Sequence, residues 1–344
     1  MTIILTGGGS GGHITPLLAV ARELKRINPD TRLVYFGQKG DSFAKIVGEN
    51  PEIDDFVLVR AGKFRRFHGE GLKQFLNLNV FFKNLRDFFY VIIGIIESSW
   101  KIRKLHAQVV FSRGGYVSVP VALGAKLNKV PYITHDSDPI PSLANRIIAP
   151  WAALHAVALP KEIYPYPLEK TITTGIPLNH EFVPVSNELK KKYRQDLELA
   201  TNAKMLFVIG GGLGSLTLNN AVADAAPELL RRFSDLYIYH VAGQANEVKL
   251  KERYIRDLTE KEQGRVKVLG FVNDVYKLSG AADVIVSRAG ATNLAEFALQ
   301  CKPVIIVPSP FLTGGHQVKN AEYLMEKEAA LMVSEDDIET LGIR

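Results

Sequence analysis

A short apolar strand, a glycine loop and a helix follow one another twice in this chain, about 200 residues apart. Nothing else in the sequence narrows the possible folds so far. The first copy is Thr2-Ile-Ile-Leu-Thr6, then Gly7-Gly-Gly-Ser-Gly-Gly12, then an apolar helical stretch from Pro16 to Lys25. The second is Met205-Leu-Phe-Val-Ile209, then Gly210-Gly-Gly-Leu-Gly214, then a helix from about Ser215 to Arg232. Further apolar runs lie at Leu33–Phe36, Val109–Phe111, Tyr132–Thr134, Leu236–His240, Val284–Ser287 and Val304–Val307. Short runs alternating with helical segments imply parallel sheets covered on both faces. Two starts imply two doubly wound α/β domains, and 344 residues exceed what one hydrophobic core usually organises. Pro and Gly interrupt the pattern from Thr174 to Pro184. The boundary is therefore placed at residue 180, giving domains 1–180 and 181–344.

A glycine loop running into a helix exposes backbone N–H groups at the positive end of the helix dipole, which suits phosphate. The strand Leu33–Phe36 ends in Gly37-Gln38 rather than an acid, so the first loop is not a dinucleotide fingerprint. Gly12 is followed by His13, so it carries no Walker lysine either. His13, where loop meets helix, has two readings: general base or hydrogen-bond donor to an oxyanion or phosphate in a cleft, or cap of its own helix. In Asp283-Val-Ile-Val-Ser-Arg288-Ala-Gly290-Ala-Thr-Asn-Leu-Ala-Glu296, a strand turns into a helix. Glu296 is placed early in that helix and facing the surface, either to accept ribose hydroxyls or to complement the dipole. Gly314-Gly-His316-Gln317 reads as a loop after a buried strand, with an amide and an imidazole for sugar hydroxyls.

Charge is distributed unevenly. Ten Lys/Arg face three Asp/Glu between Arg60 and Lys104, while the whole chain carries only +6. The same stretch holds Phe81-Phe82 and Phe88-Phe89-Tyr90 through Ile96. Aromatic and aliphatic residues beside cations suit an anionic bilayer surface, including Arg65, Arg66, Lys83 and Arg86. The alternative is a buried helix with a solvated basic flank. No window is long and apolar enough for a spanning helix, and the N-terminus does not read as a signal peptide. The expected location is therefore cytoplasmic, peripheral on the inner face of the cell membrane, without nucleic acid as a partner. The single cysteine, Cys301, excludes an internal disulfide. Lying between an apolar helix and Pro303-Val-Ile-Ile-Val, it is expected to be a buried structural thiol.

Four co-linear segments together resemble the MurG family of N-acetylglucosaminyltransferases over nearly the whole chain. They are GGGSGGHITPLLAVARELK, FSRGGYVSVPVALGAKLNKVP, VSRAGATNLAEFALQCKPVIIVPSP and HQVKNAEYL. The resemblance implies a GT-B architecture, two Rossmann-like domains facing a cleft. It implies transfer of N-acetylglucosamine from UDP-N-acetylglucosamine to an undecaprenyl-diphosphate-linked muramyl-pentapeptide in peptidoglycan synthesis. The anomeric carbon would be inverted, without a catalytic metal or other cofactor. The first domain would take acceptor and membrane, the second the donor. Residue by residue, it implies His13 as the base and Ser10, Gly11 and Gly12 at the donor. Gly212, backbone of Val272 at the uracil, and Ala291, Thr292, Asn293, Leu294, Ala295 and Glu296 at the diphosphate and ribose would join them, with Gln317 at the sugar.

Three positions depart from that pattern. His135-Asp136-Ser137-Asp138 has an acid where the family has an amide, leaving Asp138 a doubtful acceptor or donor contact. Gly175-Ile-Pro-Leu-Asn179 loses an Arg, and Gly212 loses a hydroxyl. Only 27 residues follow Gln317, so the family's C-terminal helices are expected to be missing. Rival readings are a UDP-sugar transferase acting on another lipid such as diacylglycerol, a UDP-sugar epimerase, and a non-catalytic sugar-nucleotide binding protein. Asp136 and Asp138 also spell a DxD triplet that could bind a divalent metal, and both stand as bases in reserve should His13 prove only an organiser.

Overall fold

The computed structural model describes residues 1–8, 11–38, 47–64, 78–310 and 315–340, without the side chains of 11–13, 78 and 338–340. Ser10, Arg65 and Arg66 lie outside the described residues, as do the side chains of Gly11, Gly12 and His13. The chain divides into two compact units, Met1–Asn179 and His180–Arg344.

The first unit is built on β1 (Thr2–Thr6), α1 (Gly11–Ile27), β2 (Arg32–Gln38), β3 (Asp55–Val59) and α2 (Leu78–Lys104). It continues through β4 (Val109–Ser112), α3 (Ser118–Leu127), β5 (Tyr132–Asp136), α4 (Leu143–Ile148), β6 (Leu154–Val157) and β7 (Thr171–Thr173). Its sheet runs β3-β2-β1-β4-β5-β6-β7 with every pairing parallel. The chain winds outward from β1 to β3, then returns to the other side of β1, so β1 and β4 flank the switch point. Each sheet face carries its own core. Ile4, Val34, Phe36 and Val110 pack with Val121, Ala122 and Ile102, while Ile3, Leu5, Leu33 and Tyr35 pack with Ile14, Leu17 and Ala21 of α1. A strand buried on both faces is a near-continuous apolar run, which is why these strands were legible as runs.

The second unit repeats the plan. It comprises α5 (Asn187–Asp196), β8 (Lys204–Ile209), α6 (Leu216–Arg232), β9 (Leu236–Val241), α7 (Glu247–Asp257), α8 (Glu260–Gln263), β10 (Val266–Leu269) and α9 (Val275–Ala281). Then follow β11 (Val284–Ser287), α10 (Ala291–Leu299), β12 (Val304–Ile306), α11 (His316–Glu326), β13 (Leu331–Met332) and α12 (Glu335–Thr340). The order is β10-β9-β8-β11-β12-β13, again parallel, with the switch point between β8 and β11. Helices α6 and α7 cover one face through Leu218, Val222, Leu250 and Tyr254. Tyr193, Leu278, Leu294 and Phe297 cover the other.

The first helix starts at Gly11, a turn and a half before the apolar stretch that announced it at Pro16, so that proline lies inside the helix and removes one backbone donor from its second turn. Cys301 corrects an expectation. It is exposed, with φ at 56°, on the turn that ends α10, a left-handed position that points its side chain away from the core.

Candidate active site

In the second unit Ile209 lies level with Val241 of β9 and Ser287 of β11. The loops leaving β8 and β11 therefore emerge side by side, at the place where open α/β sheets bind ligands. The first is Gly210–Gly214. Gly214 has φ at 76°, and a Cβ there would lie 1.9 Å from the carbonyl oxygen of Ala242, so only glycine fits. Gly212 differs: its φ is not left-handed and nothing lies within 4 Å of a Cβ. The hydroxyl missing at 212 is thus a chemical difference and not a demand of the backbone.

Behind this loop Ser215 caps α6, its Oγ accepting from the N–H of Leu218 at 3.3 Å. The corresponding helix after β11 starts without such a cap. Gly290 precedes α10 and makes no side-chain cap bond, and the helix's first turn contains no acid. Among the described residues no side chain accepts from its first N–H groups, beside half-buried Ala291, Thr292 and Asn293, the arrangement an anion fills. Leu294 packs into the core and Ala295 is half-buried.

Glu296 departs from its expected exposed place. It sits in the second turn of α10, only 6% exposed, and no hydrogen bond or ion pair meets its carboxyl among the described residues. Burial pushes its pKa up to about 8. A first-turn, dipole-complementing role is excluded by that position. What remains is a buried acid lacking hydrogen-bond donors, which sugar hydroxyls can supply.

Gln317 is the second residue of α11 and not part of a loop; Gly315, with φ at 64°, precedes the helix. Buried Gln317 accepts at Oε1 from the N–H of Ser309 at 2.9 Å. That bond orients the amide so that its NH₂ end is left to donate. Asn320, one turn on, donates Nδ2 to the carbonyl of Ala289 at 2.9 Å and ties α11 to the β11 loop. Val272, half-buried after β10, lines a cavity of about 400 Å³ with Phe271, Asn273 and Lys277. None of Ala291 to Glu296 lines that cavity.

In the first unit Thr6 lies level with Phe36 and Ser112, so the loops after β1 and β4 also emerge together. Gly115, at φ 82°, lets the second loop approach to where a Cβ would sit 2.3 Å from the carbonyl oxygen of Gly8. His13 is the third residue of α1, which follows the first loop. Arg113, 2% exposed, donates to Ser137, and burial pushes its pKa down to about 10 against the attraction of Asp138 and Asp136.

Asp136 is engaged in structure. One carboxylate oxygen accepts from Asn145 Nδ2 at 2.8 Å and the N–H of Ser142 at 3.3 Å, the other from Tyr166 Oη at 2.7 Å. Burial raises its pKa while these donors oppose the rise. These contacts tie the end of β5 to α4 and Tyr166, a structural role for Asp136 that lends no support to its reading as a reserve base or as half of a DxD metal pair. Asp138 is half-buried beside Arg113. His135 is pushed down to about 3 by burial, then by Arg113, and bonds through Nε2 to the carbonyl of Gly175 at 2.9 Å. Asn179, where the cation is lost, accepts from Arg22 at 3.4 Å.

Sequence reading missed two cations, Arg113 and Arg288. Each follows a serine at the end of the strand flanking a switch point, in Ser112-Arg113 after β4 and Ser287-Arg288 after β11, and each is buried. The repeated Ser-Arg pair was the available signal.

Residues 3–157 match the glycosyltransferase family 28 N-terminal domain and residues 205–343 its C-terminal domain. A relative from Bacillus thuringiensis is 32% identical over 98% of this chain and 87% of its own length. One from Natranaerobius thermophilus is 32% identical over 98% and 88%. Both are UDP-N-acetylglucosamine–N-acetylmuramyl-(pentapeptide) pyrophosphoryl-undecaprenol N-acetylglucosamine transferases by name. Among solved structures, Acinetobacter baumannii MurG has a TM-score of 0.69 at 22% identity, covering 99% of this chain and 88% of that one. UDP-GlcNAc 2-epimerase from Neisseria meningitidis scores 0.61 at 12% identity, covering 99% and 90%. At such identity these likenesses show the fold, the two-sheet GT-B class. The matches at both ends of the chain make it a glycosyltransferase of family 28.

Proposed function

We propose that this chain moves N-acetylglucosamine from UDP-N-acetylglucosamine to a muramyl-pentapeptide carried on undecaprenyl diphosphate, inverting the anomeric carbon. The activity is that of relatives aligned over 98% of the chain. The observation that carries the donor half is Glu296, a buried acid lacking a hydrogen-bond donor, on the helix with an uncapped N-terminus. In this reading the ribose hydroxyls donate to Glu296, the diphosphate lies against the first turn of α10, and Gln317 donates to the sugar. Backbone of Val272 meets the uracil, and Gly212 contributes backbone alone.

Transfer needs the acceptor hydroxyl to lose its proton as its oxygen bonds to the anomeric carbon and the bond to the β-phosphate oxygen breaks. His13 is the base of this proposal, with Ser10, Gly11 and Gly12 beside it. An N-terminal helix position disfavours imidazolium and keeps the neutral ring available. The charge released on UDP is met by helix N–H groups, which do not have to reorganise as the charge develops. Asp138 stays a contact to acceptor or donor in this scheme.

The first unit would hold the acceptor at the cytoplasmic face of the membrane. No helix among the described residues is long and apolar enough to cross it, and the support is α2. Phe82, Leu85, Phe89, Ile92, Ile96 and Trp100 form one exposed stripe at three- and four-residue spacing. Arg86 lies over Tyr90 and Lys104 over Trp100. An uncovered aromatic stripe edged by cations fits an anionic interface.

The test offers labelled UDP-N-acetylglucosamine with the undecaprenyl-linked muramyl-pentapeptide or with diacylglycerol. Label is expected on the first alone; label on diacylglycerol alone overturns the acceptor. His13→Asn should lower kcat by about 10²–10⁴ with UDP affinity kept. Near-normal turnover would remove His13 as the base.

A further inference from the structure

In the second unit Arg288 is a buried cation with its donors committed. Nε and Nη2 donate to Ser215 Oγ at 2.9 and 2.6 Å, and Nη1 donates to the carbonyl of Val307 at 3.0 Å. Nη2 also pairs with the carboxylate of Glu335, at the start of α12. Arg288 is 8% exposed and Glu335 7%. An ion pair so far out of water is held by geometry, and a guanidinium fork fixes that geometry as a lysine cannot.

The consequence falls on one hydroxyl. Ser215 Oγ accepts from Arg288 on one side and from the Leu218 N–H on the other. With its lone pairs engaged, its own O–H is left to donate, and no acceptor for it occurs among the described residues. It is half-buried and directly follows Gly210-Gly-Gly-Leu-Gly214, a loop with no polar side chain of its own. A hydroxyl that accepts from a cation becomes a stronger donor.

We propose that the Ser215 hydroxyl donates to the diphosphate of the nucleotide sugar, oriented and polarised by Arg288, with Glu335 setting how much of that positive charge reaches the ligand. The proposal rests on the donor reading of this unit and adds a binding residue, a positioning residue and a counterion to it. Arg113 stands at the equivalent point of the first sheet and donates to Ser137, so a buried strand-end arginine bonded to a loop serine is built twice. The hydroxyl that position 212 lacks is here supplied three residues on.

Uridine and UDP separate the effect from folding, because only UDP carries the phosphates. In calorimetric titrations, Ser215→Ala should weaken UDP about tenfold or more and leave uridine unchanged. Ser215→Thr, which restores a hydroxyl, should recover most of the loss. Arg288→Lys should behave like Ser215→Ala. Glu335→Gln should raise the UDP-to-uridine affinity ratio severalfold, because Arg288 then keeps its full charge. Loss of the helix cap or ion pair would lower Tm and act on both ligands alike, so the ratio isolates the phosphate contact. Should Arg288→Lys fail to fold, the Ser215 and Glu335 variants decide. A ratio unchanged in Ser215→Ala overturns the proposal while the donor reading stands. Wild-type protein that binds neither UDP nor uridine overturns the donor reading and the proposal together.

Discussion

At the residue scale, the role proposed for Glu296 would set function against stability. Its pKa near 8 lies well above that of an exposed glutamate, near 4.5. A raised pKa means that the fold favours the protonated form. The associated stability is fully present below about pH 4.5 and is lost as pH climbs toward 8. Glu296→Gln cannot ionise, so it should match wild type in Tm near pH 4.5 and exceed it at pH 8. In the proposed reading ribose hydroxyls donate to the ionised carboxylate, so wild-type affinity for UDP should rise with pH up to about 8. In Glu296→Gln it should be flat and weaker by about 1.5–3 kcal/mol at the upper end. Gain of stability with loss of binding is the pattern of a site strained for function. Equal UDP affinity in both proteins at pH 8 would remove the ribose role. The sequence named Glu296 but placed it at the surface, because an acid on a helix reads as solvated unless its neighbours are known. It missed Arg113 and Arg288 for the same reason. Burial of a charge is a tertiary fact, and only the Ser-Arg pair repeated at two strand ends hinted at it.

At the element scale, strands were legible and helix faces were not. A strand covered on both sides is mainly apolar, and Val284–Ser287 and Thr2–Thr6, apolar runs closed by a hydroxyl residue, have the bounds their runs indicated. The helix α2 reverses the usual logic. Its packed side is Asp87, Gly94, Ser98 and Ile102, and a Cβ on Gly94 would lie 1.9 Å from the carbonyl oxygen of Arg60. Small residues let α2 lie close against α3, where Gly124 meets Ser98 and Ser99. The aromatics are thereby left outside. Composition alone left open whether these aromatics were core or surface; the small packed face decides it. Vesicle binding tests what covers the exposed stripe. Lys83→Gln with Arg86→Gln should weaken binding to anionic vesicles by about 1 kcal/mol per charge and flatten its salt dependence. Phe82→Ser with Phe89→Ser should weaken binding even in high salt, where only apolar contact is left. Unchanged binding in both pairs would mean that lipid does not contact α2.

At the scale of the whole molecule, two sheets of one plan were legible because each announces itself with a strand and a glycine loop. Division of labour between them is a separate matter, which the chain's two tryptophans make testable. Trp100 lies on α2 and Trp151 follows α4, so both belong to the first unit. Indole fluorescence therefore follows unfolding of the first unit, while far-UV circular dichroism follows helices of both. If the donor is held by the second unit alone, UDP stabilises that unit by mass action, about 2.7 kcal/mol at a hundred times Kd. The dichroism transition should then move to higher urea with UDP, and the fluorescence transition should stay where it was. Anionic vesicles should do the opposite through α2 and shift indole emission to the blue as Trp100 leaves water. A fluorescence midpoint that rises with UDP as far as the dichroism midpoint does would deny the second unit sole hold of the donor. Glu296→Gln separates the ways that could arise: if it abolishes both shifts, the donor still rests on α10 and the units unfold as one. Should the fluorescence shift persist in that variant, the nucleotide is held by the first unit, and the assignment of donor to one sheet and acceptor to the other falls.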